Sequence, residues 1–266
     1  MSADSTKKTL VVAVSLCLVC SVLVSSAAVA LSSIQEENKK LDKLKNILIA
    51  GDLYKDDASI KETYKEKVDG VLIELKSGEI VPEEKFNDKL NVDNFSIENM
   101  SGDAEYGTSI PSSEDIAGIK KKPKFMPVYE VKNNEEVEKY IFPIYGKGLW
   151  STLYGFIAID KDLKTIRGIT FYQHGETPGL GGEVDNPKWK AQWNGKKAFD
   201  ENNNVKISVI KGIVDVSNPN KDYLVDGLSG STLTTRGVDN LVNYWLSSNG
   251  YGAFIEKLRK EGNPNE

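Results

Sequence analysis

The residues best placed to do chemistry are gathered in 226–237, DGLSGSTLTTRG. Five hydroxyls (Ser229, Ser231, Thr232, Thr234, Thr235) and three glycines precede an apolar, helix-like run. Ser, Thr and Gly in front of a helix are N-cap residues, because a side-chain oxygen can accept from a free backbone N–H. Capping accounts for one or two hydroxyls, not five. A helix N-terminus also offers free amides and the positive end of the helix dipole, which suits a phosphate. A threonine there can carry a phosphate ester whose remaining charge those amides hold. The segment GLSGS is not a nucleophile elbow, since G-x-S-x-G requires glycine where Ser231 stands.

Two other stretches invite the same question. Residues 174–184, HGETPGLGGEV, follow a strand signal and contain four glycines and a proline. Glycine allows turns with positive φ and close approach of backbone to a ligand. The stretch matches neither the GxGxxG dinucleotide pattern nor the GK[ST] of a phosphate loop. In 145–155, YGKGLWSTLYG, Trp150 sits between a glycine turn and a strand, where an indole either joins the core or stacks on a ring system.

Composition removes several chemistries. His174 is the only histidine, so a poly-histidine metal site is excluded and any Ser-His-Asp triad would depend on it. Cys17 and Cys20 both lie in an N-terminal apolar run, so the rest of the chain has no disulfide or thiolate chemistry. A net charge of −5, mixed and dispersed, does not point to nucleic acid.

Several elements must position these motifs. Residues 9–31 are 23 uncharged positions, enough for the roughly 20 a membrane span needs. The run exceeds a signal-peptide core, and Val19 before Cys20 is too large for lipoprotein processing, so a retained anchor is expected. Lys7 and Lys8 put the N-terminus in the cytoplasm and the remainder outside. Leu41, Leu44, Ile47 and Leu48 keep helical spacing up to Gly51 and suggest a solvated connector packed on the domain. Residues 85–124 are polar and turn-rich, and the lysines of KKKPK read as a solvated loop. Strand signals follow in MPVYEV, KYIFPIYG, STLYGFIAID, TIRGITFYQH and VKISVIKG, with KDLK suited to a hairpin turn. Trp189 and Trp193, four apart, are expected on one helical face, and 237–260 reads as two helices broken at SNGYG. No internal repeat is visible. The expected fold class is α+β: one N-terminal transmembrane helix, then an extracytoplasmic domain with a mainly antiparallel sheet flanked by helices. Expected divisions are 1–35 for the cytoplasmic tip and span, 36–125 for a connector helix and irregular α/β subregion, and 126–266 for the main domain.

Taken together, LDKLKNIL, GLWSTLYGFIAI, HGETPGLGG, SGSTLTTRGV and the N-terminal span resemble the C-type subunit of the sodium-translocating NADH:quinone reductase, the NqrC family, over nearly the whole chain. A more distant likeness is to the G-type subunit of the related ferredoxin-linked electron-transport complex. The family motif is S-G-A-T, whose threonine carries FMN through a phosphodiester attached by a flavin transferase from FAD. The matching residue is Thr232. Ser231 replaces the family's alanine and adds a second candidate hydroxyl. The resemblance makes 126–266 an FMN-binding domain. It places Trp150, Glu176, Thr177, Gly179 and Leu180 around the flavin, with Ser229, Gly230, Leu233 and Thr234 beside the attachment point. It further implies no catalytic residue of its own and a relay of electrons to quinone. Sodium export would be carried out by the partners of a six-subunit complex, especially a B-type membrane subunit that bears FMN and membrane subunits that bear iron–sulfur centres. The setting implied is the bacterial inner membrane with a periplasmic domain. A membrane-anchored binding or assembly module without redox function is the reading from another class.

Overall fold

The computed structural model describes residues 6–133 and 136–262. Two compact units divide the chain, Met1–Lys43 and Leu44–Glu266. Helix α1 runs over Thr6–Ala50. Its side chains from Leu10 to Ile34 are exposed, as expected of a helix whose apolar surface is meant for lipid, and length and composition suit a single-pass anchor. The expected cytoplasmic tip lies, for residues 1–5, outside the described residues.

In the second unit the last turn of α1 packs on the domain as expected, but as part of a buried core and not as a solvated segment. Ile47, Leu48 and Ala50 are buried against Val68, Tyr129, Val131, Ile141, Phe156 and Ala158. Short helix α2, Ile60–Lys67, is capped by Ser59, whose hydroxyl accepts from Glu62 N. The chain then enters β1, Val68–Glu74. Residues 85–124 form a small subregion with helix α3, Ile97–Gly102, and a β2–β3 ribbon, Gly107–Ser109 with Lys121–Pro123. Lysines of KKKPK are partly enlisted here: the Lys122 ammonium donates to Asn249 O and lies 5.5 Å from the Tyr244 ring.

The main sheet adds β4 Phe125–Asn133, β5 Glu136–Lys147, β6 Thr152–Asp160 and β7 Ile166–Gln173 to β1. Its order is β1-β4-β5-β6-β7, antiparallel throughout. Both faces are covered, which explains apolar runs in place of alternation. Phe156 and Ala158 face the α1 side, while Phe142, Ile144, Ile157 and Ile159 face the larger core. That core is closed by α5, Thr232–Leu246, and α6, Gly252–Gly262. A short helix α4, Pro187–Ala191, and a two-residue parallel pair, β8 Ser208–Val209 with β9 Leu224–Val225, complete the unit.

The register between β4 and β5 ends at Tyr129↔Ile141. Beyond it, side chains and loops satisfy the β5 edge. Trp245 Nε1 donates to Tyr145 O (2.7 Å), Tyr251 Oη to Pro143 O (2.7 Å), and Lys147 N to Ala117 O (2.8 Å). A bare strand edge costs unmet hydrogen bonds and invites pairing with other chains. Here the Trp245 bond ties α5 to the end of β5, where the Trp150 loop begins, while Tyr251 and Ala117 hold the same edge from the α5–α6 turn and the 85–124 subregion.

Candidate functional site

Three chain segments meet at the N-terminus of α5: the β5–β6 loop, the ETPGLGG loop after β7, and residues 228–237. Within ETPGLGG, Leu180 N donates to Thr177 O (3.1 Å), and Gly179 sits at φ 75°. Pro178 then Gly179 at the two central positions is type II turn chemistry, since the second requires positive φ. Gly182 N closes onto the same Thr177 carbonyl (2.9 Å). Leu180 is thereby carried to within reach of Gly230, where an added Cβ would stand 3.0 Å from Leu180 Cδ2.

Glu176 links all three segments. Its carboxylate is buried (6% exposed) and accepts Trp150 N (3.0 Å) and Ser151 N (3.2 Å) on Oε1. Leu149 N (3.3 Å) and the Thr234 hydroxyl (2.6 Å) reach Oε2. Burial pushes the carboxyl's pKa up, but the Thr234 hydroxyl and the three amides outweigh it and hold the group below the ordinary glutamate value. Glu176 is therefore ionised and occupied by protein donors. Ser151 Oγ accepts Gly175 N (2.6 Å), a second tie between the same two loops.

At α5 the N-cap is Ser231, yet its side chain makes no capping bond. Its hydroxyl is buried and donates to Thr234 Oγ1 (2.9 Å). Thr235 Oγ1 accepts Leu228 N (2.9 Å) and fixes the approach to the helix. Thr232, the first helical residue, is exposed with Ser229, Gly230 and Leu233. The hydroxyls of Ser231, Thr234 and Thr235 are thus spent on structure, and the helix end keeps its free amides for an anion.

Around this helix end apolar surface is left uncovered. Trp150 is 67% exposed, Leu233 54%, Leu180 44% and Leu149 39%. Trp189, Trp193 and Trp245 are all buried. A large ring standing free beside a helix N-terminus is what a planar ligand with a phosphate would use. Gly230 (φ 70°) and Gly179 (φ 75°) border this surface in the left-handed backbone conformation that favours glycine. The residues present fit FMN: free amides for phosphate, an indole and leucines for the ring.

The only histidine is tied into the same loop. His174 Nε2 meets Asp185 Oδ2 at 2.8 Å, while Nδ1 accepts Glu176 N (3.2 Å). With Nδ1 as acceptor, the neutral ring carries its proton on Nε2. The hydrogen bond to Asp185 holds the imidazole pKa above the ordinary histidine value of about 6.5. A raised folded-state pKa stabilises the fold fully below the unfolded value, and that contribution is lost as pH rises through the folded pKa. Asp185→Asn is therefore expected to lower the His174 pKa and to destabilise the domain at pH 5 but not at pH 9. Proton NMR titration of the single imidazole, with thermal melts at both pH values, checks this; an unmoved pKa would refute the Asp185 assignment.

Sequence reasoning does not reach Ser151 or the His174–Asp185 pair, and it singles out Thr235 without its structural role, because these contacts depend on loops that meet only in three dimensions. Trp189 and Trp193 do not share a helix, since α4 stops at Ala191; their rings still meet edge to face at 5.7 Å.

An exposed indole and an open helix end on a sheet-and-helix domain are the features of a domain that holds a planar, phosphate-bearing cofactor, borne on a chain whose N-terminal helix fits a single-pass anchor. The FMN-binding domain family matches residues 148–247, which contain all three segments. The C subunit of the Na(+)-translocating NADH-quinone reductase of Pseudomonas aeruginosa is 44% identical over 260 residues, covering 97% of each chain. Its counterpart in Yersinia pestis is 42% identical over 261 residues, 97% of this chain and 94% of the relative. The crystal structure of Shewanella oneidensis NqrC superposes with a TM-score of 0.74 at 31% identity, covering 84% of this chain and 99% of that one. The corresponding Parabacteroides distasonis protein gives 0.64 at 28% identity, covering 85% and 96%. This chain belongs to the NqrC family, the C subunits of the Na(+)-translocating NADH-quinone reductase, and its cofactor is FMN.

Proposed function

We propose that Thr232 carries FMN through a phosphoester and that the chain relays electrons toward quinone within a sodium-exporting complex. The observation that carries this reading is the contrast between neighbours: the Thr232 side chain is free and exposed at an uncapped helix end, while Ser231 is buried and bonded to Thr234. An ester at the first helical residue places its phosphate beside the amides of the first turn, where the helix dipole favours negative charge. Trp150, Leu180 and Leu233 supply apolar cover for the ring, and Ser229, Gly230, Thr177 and Gly179 border it.

FMN supplies the electron chemistry; the chain binds, orients and partly shields it. A covalent tether keeps a flavin at high effective concentration in a compartment where none is replenished. In this reading the domain is periplasmic, anchored by α1 in the inner membrane. A flavin transferase loads it from FAD. It exchanges electrons with the other subunits of the complex, among them the B-type membrane subunit that bears FMN and the membrane subunits that bear iron–sulfur centres. Sodium crosses in those partners, since one span encloses no ion path.

Co-expression with a flavin transferase should give a denatured band that fluoresces under ultraviolet light. Mass spectrometry should place the added FMN mass on the peptide covering 229–236. A dark band, or an unmodified peptide, would sink the attachment.

A further inference from the structure

Among the described residues, Glu176 is the only Asp, Glu, Lys, Arg or His side chain that is buried. A carboxylate has about four lone-pair sites, and four protein donors fill them: the amides of Leu149, Trp150 and Ser151 and the hydroxyl of Thr234. Nothing of it is left to meet a ligand. The surroundings are shaped to the group. A Cβ at Gly148 would stand 2.5 Å from Oε1, and one at Gly181 would stand 2.7 Å from Oε2. Its own backbone N–H is held by His174 Nδ1 (3.2 Å). Three consecutive amides of an exposed loop bonded to one ionised group make that group the local organiser, because charged hydrogen bonds are the strong ones.

The geometry points to Glu176 as a positioning residue: its carboxylate pins the Trp150 loop to the first turn of α5 and so fixes the indole relative to Thr232, setting the geometry in which FMN is held. The part that concerns FMN rests on the proposed attachment at Thr232; the pin itself does not.

The test uses full-length Glu176→Gln and Thr234→Val, each made with and without a co-expressed flavin transferase. Without flavin, amide hydrogen exchange at 149–151 is expected to quicken at least tenfold in Glu176→Gln and less in Thr234→Val, with β1 and β4 unchanged. With flavin bound, the oxidised-to-reduced ratio at fixed potential should shift about tenfold in Glu176→Gln, about 30 mV for a two-electron couple. Thr234→Val, which keeps the charge, should shift it the same way by less. Unchanged exchange at 149–151 overturns the proposal, and so does a uniform rise across the sheet, which marks general destabilisation. A potential that moves in Glu176→Gln but not in Thr234→Val overturns it too, since charge alone is then acting. If Glu176→Gln does not fold, Thr234→Val decides by the same readouts. A wild-type chain without flavin would strike the attachment at Thr232 and leave the exchange measurement to judge the pin.

Discussion

Thr232→Val is expected to abolish covalent flavin completely, while Ser231→Ala keeps it at the wild-type level. Both substitutions remove one hydroxyl at the same helix start, and neither should unfold the domain. Valine and threonine have nearly equal helix propensity, so the exchange at this exposed first-turn position costs little. Ser231→Ala gives up one hydrogen bond, about 1 kcal/mol, and leaves the Thr234 hydroxyl still donating to Glu176 (2.6 Å). Loss of label in Thr232→Val therefore reports chemistry, not folding. In-gel fluorescence and intact mass read both variants in one experiment. A labelled Thr232→Val with an unlabelled Ser231→Ala would move the ester to Ser231, against its burial and its bond to Thr234.

That contrast also shows what the sequence carries and what it leaves to the fold. DGLSGSTLTTRG announces a helix start with spare hydroxyls, because capping preference is local. It does not say which hydroxyl is free, since Ser231 and Thr232 are adjacent and differ only in where the tertiary structure points them. The hairpin across KDLK and the two helices flanking SNGYG are legible for the same local reason. VKISVIKG is not: it promises a long strand and yields one bridge, Val205 to Phe199, and a two-residue pair with Leu224–Val225, because its partners come from two separate short segments. The family resemblance implies a place for Glu176 around the flavin. Only the packed structure turns its carboxylate inward onto the amides of 149–151, because those donors come from a distant loop. The final turn of α1 is legible as a helix packed on the domain, but the depth of its burial is not, since that depends on strands far along the chain.

Gly237→Ala is expected to destabilise the domain and lower flavin loading, against what helix propensity alone says. Gly237 lies inside α5, where alanine is preferred to glycine by about 1 kcal/mol. Here its added Cβ would stand 2.4 Å from Lys147 O and 3.1 Å from Gly148 Cα. Both neighbours are backbone, so no flexible side chain can yield. Either α5 moves out or the Lys147–Gly148 backbone shifts, and that backbone leads straight into the Leu149, Trp150 and Ser151 amides bound by Glu176. Overpacking of this kind costs about 1–3 kcal/mol, and rigid partners put it at or above the top of that range, so the clash outweighs the propensity gain. A net loss of about 2 kcal/mol corresponds to a melting point lower by roughly 4–8 °C for a domain of this size. Gly102→Ala, at the end of α3 with nothing within 4 Å of the added Cβ, serves as the control and should hold or raise the melting temperature. Equal melts for the two variants would mean that the close approach of α5 to the Trp150 loop contributes nothing. A Gly237→Ala variant that melts lower yet loads flavin normally would separate the stability of that contact from its part in shaping the site.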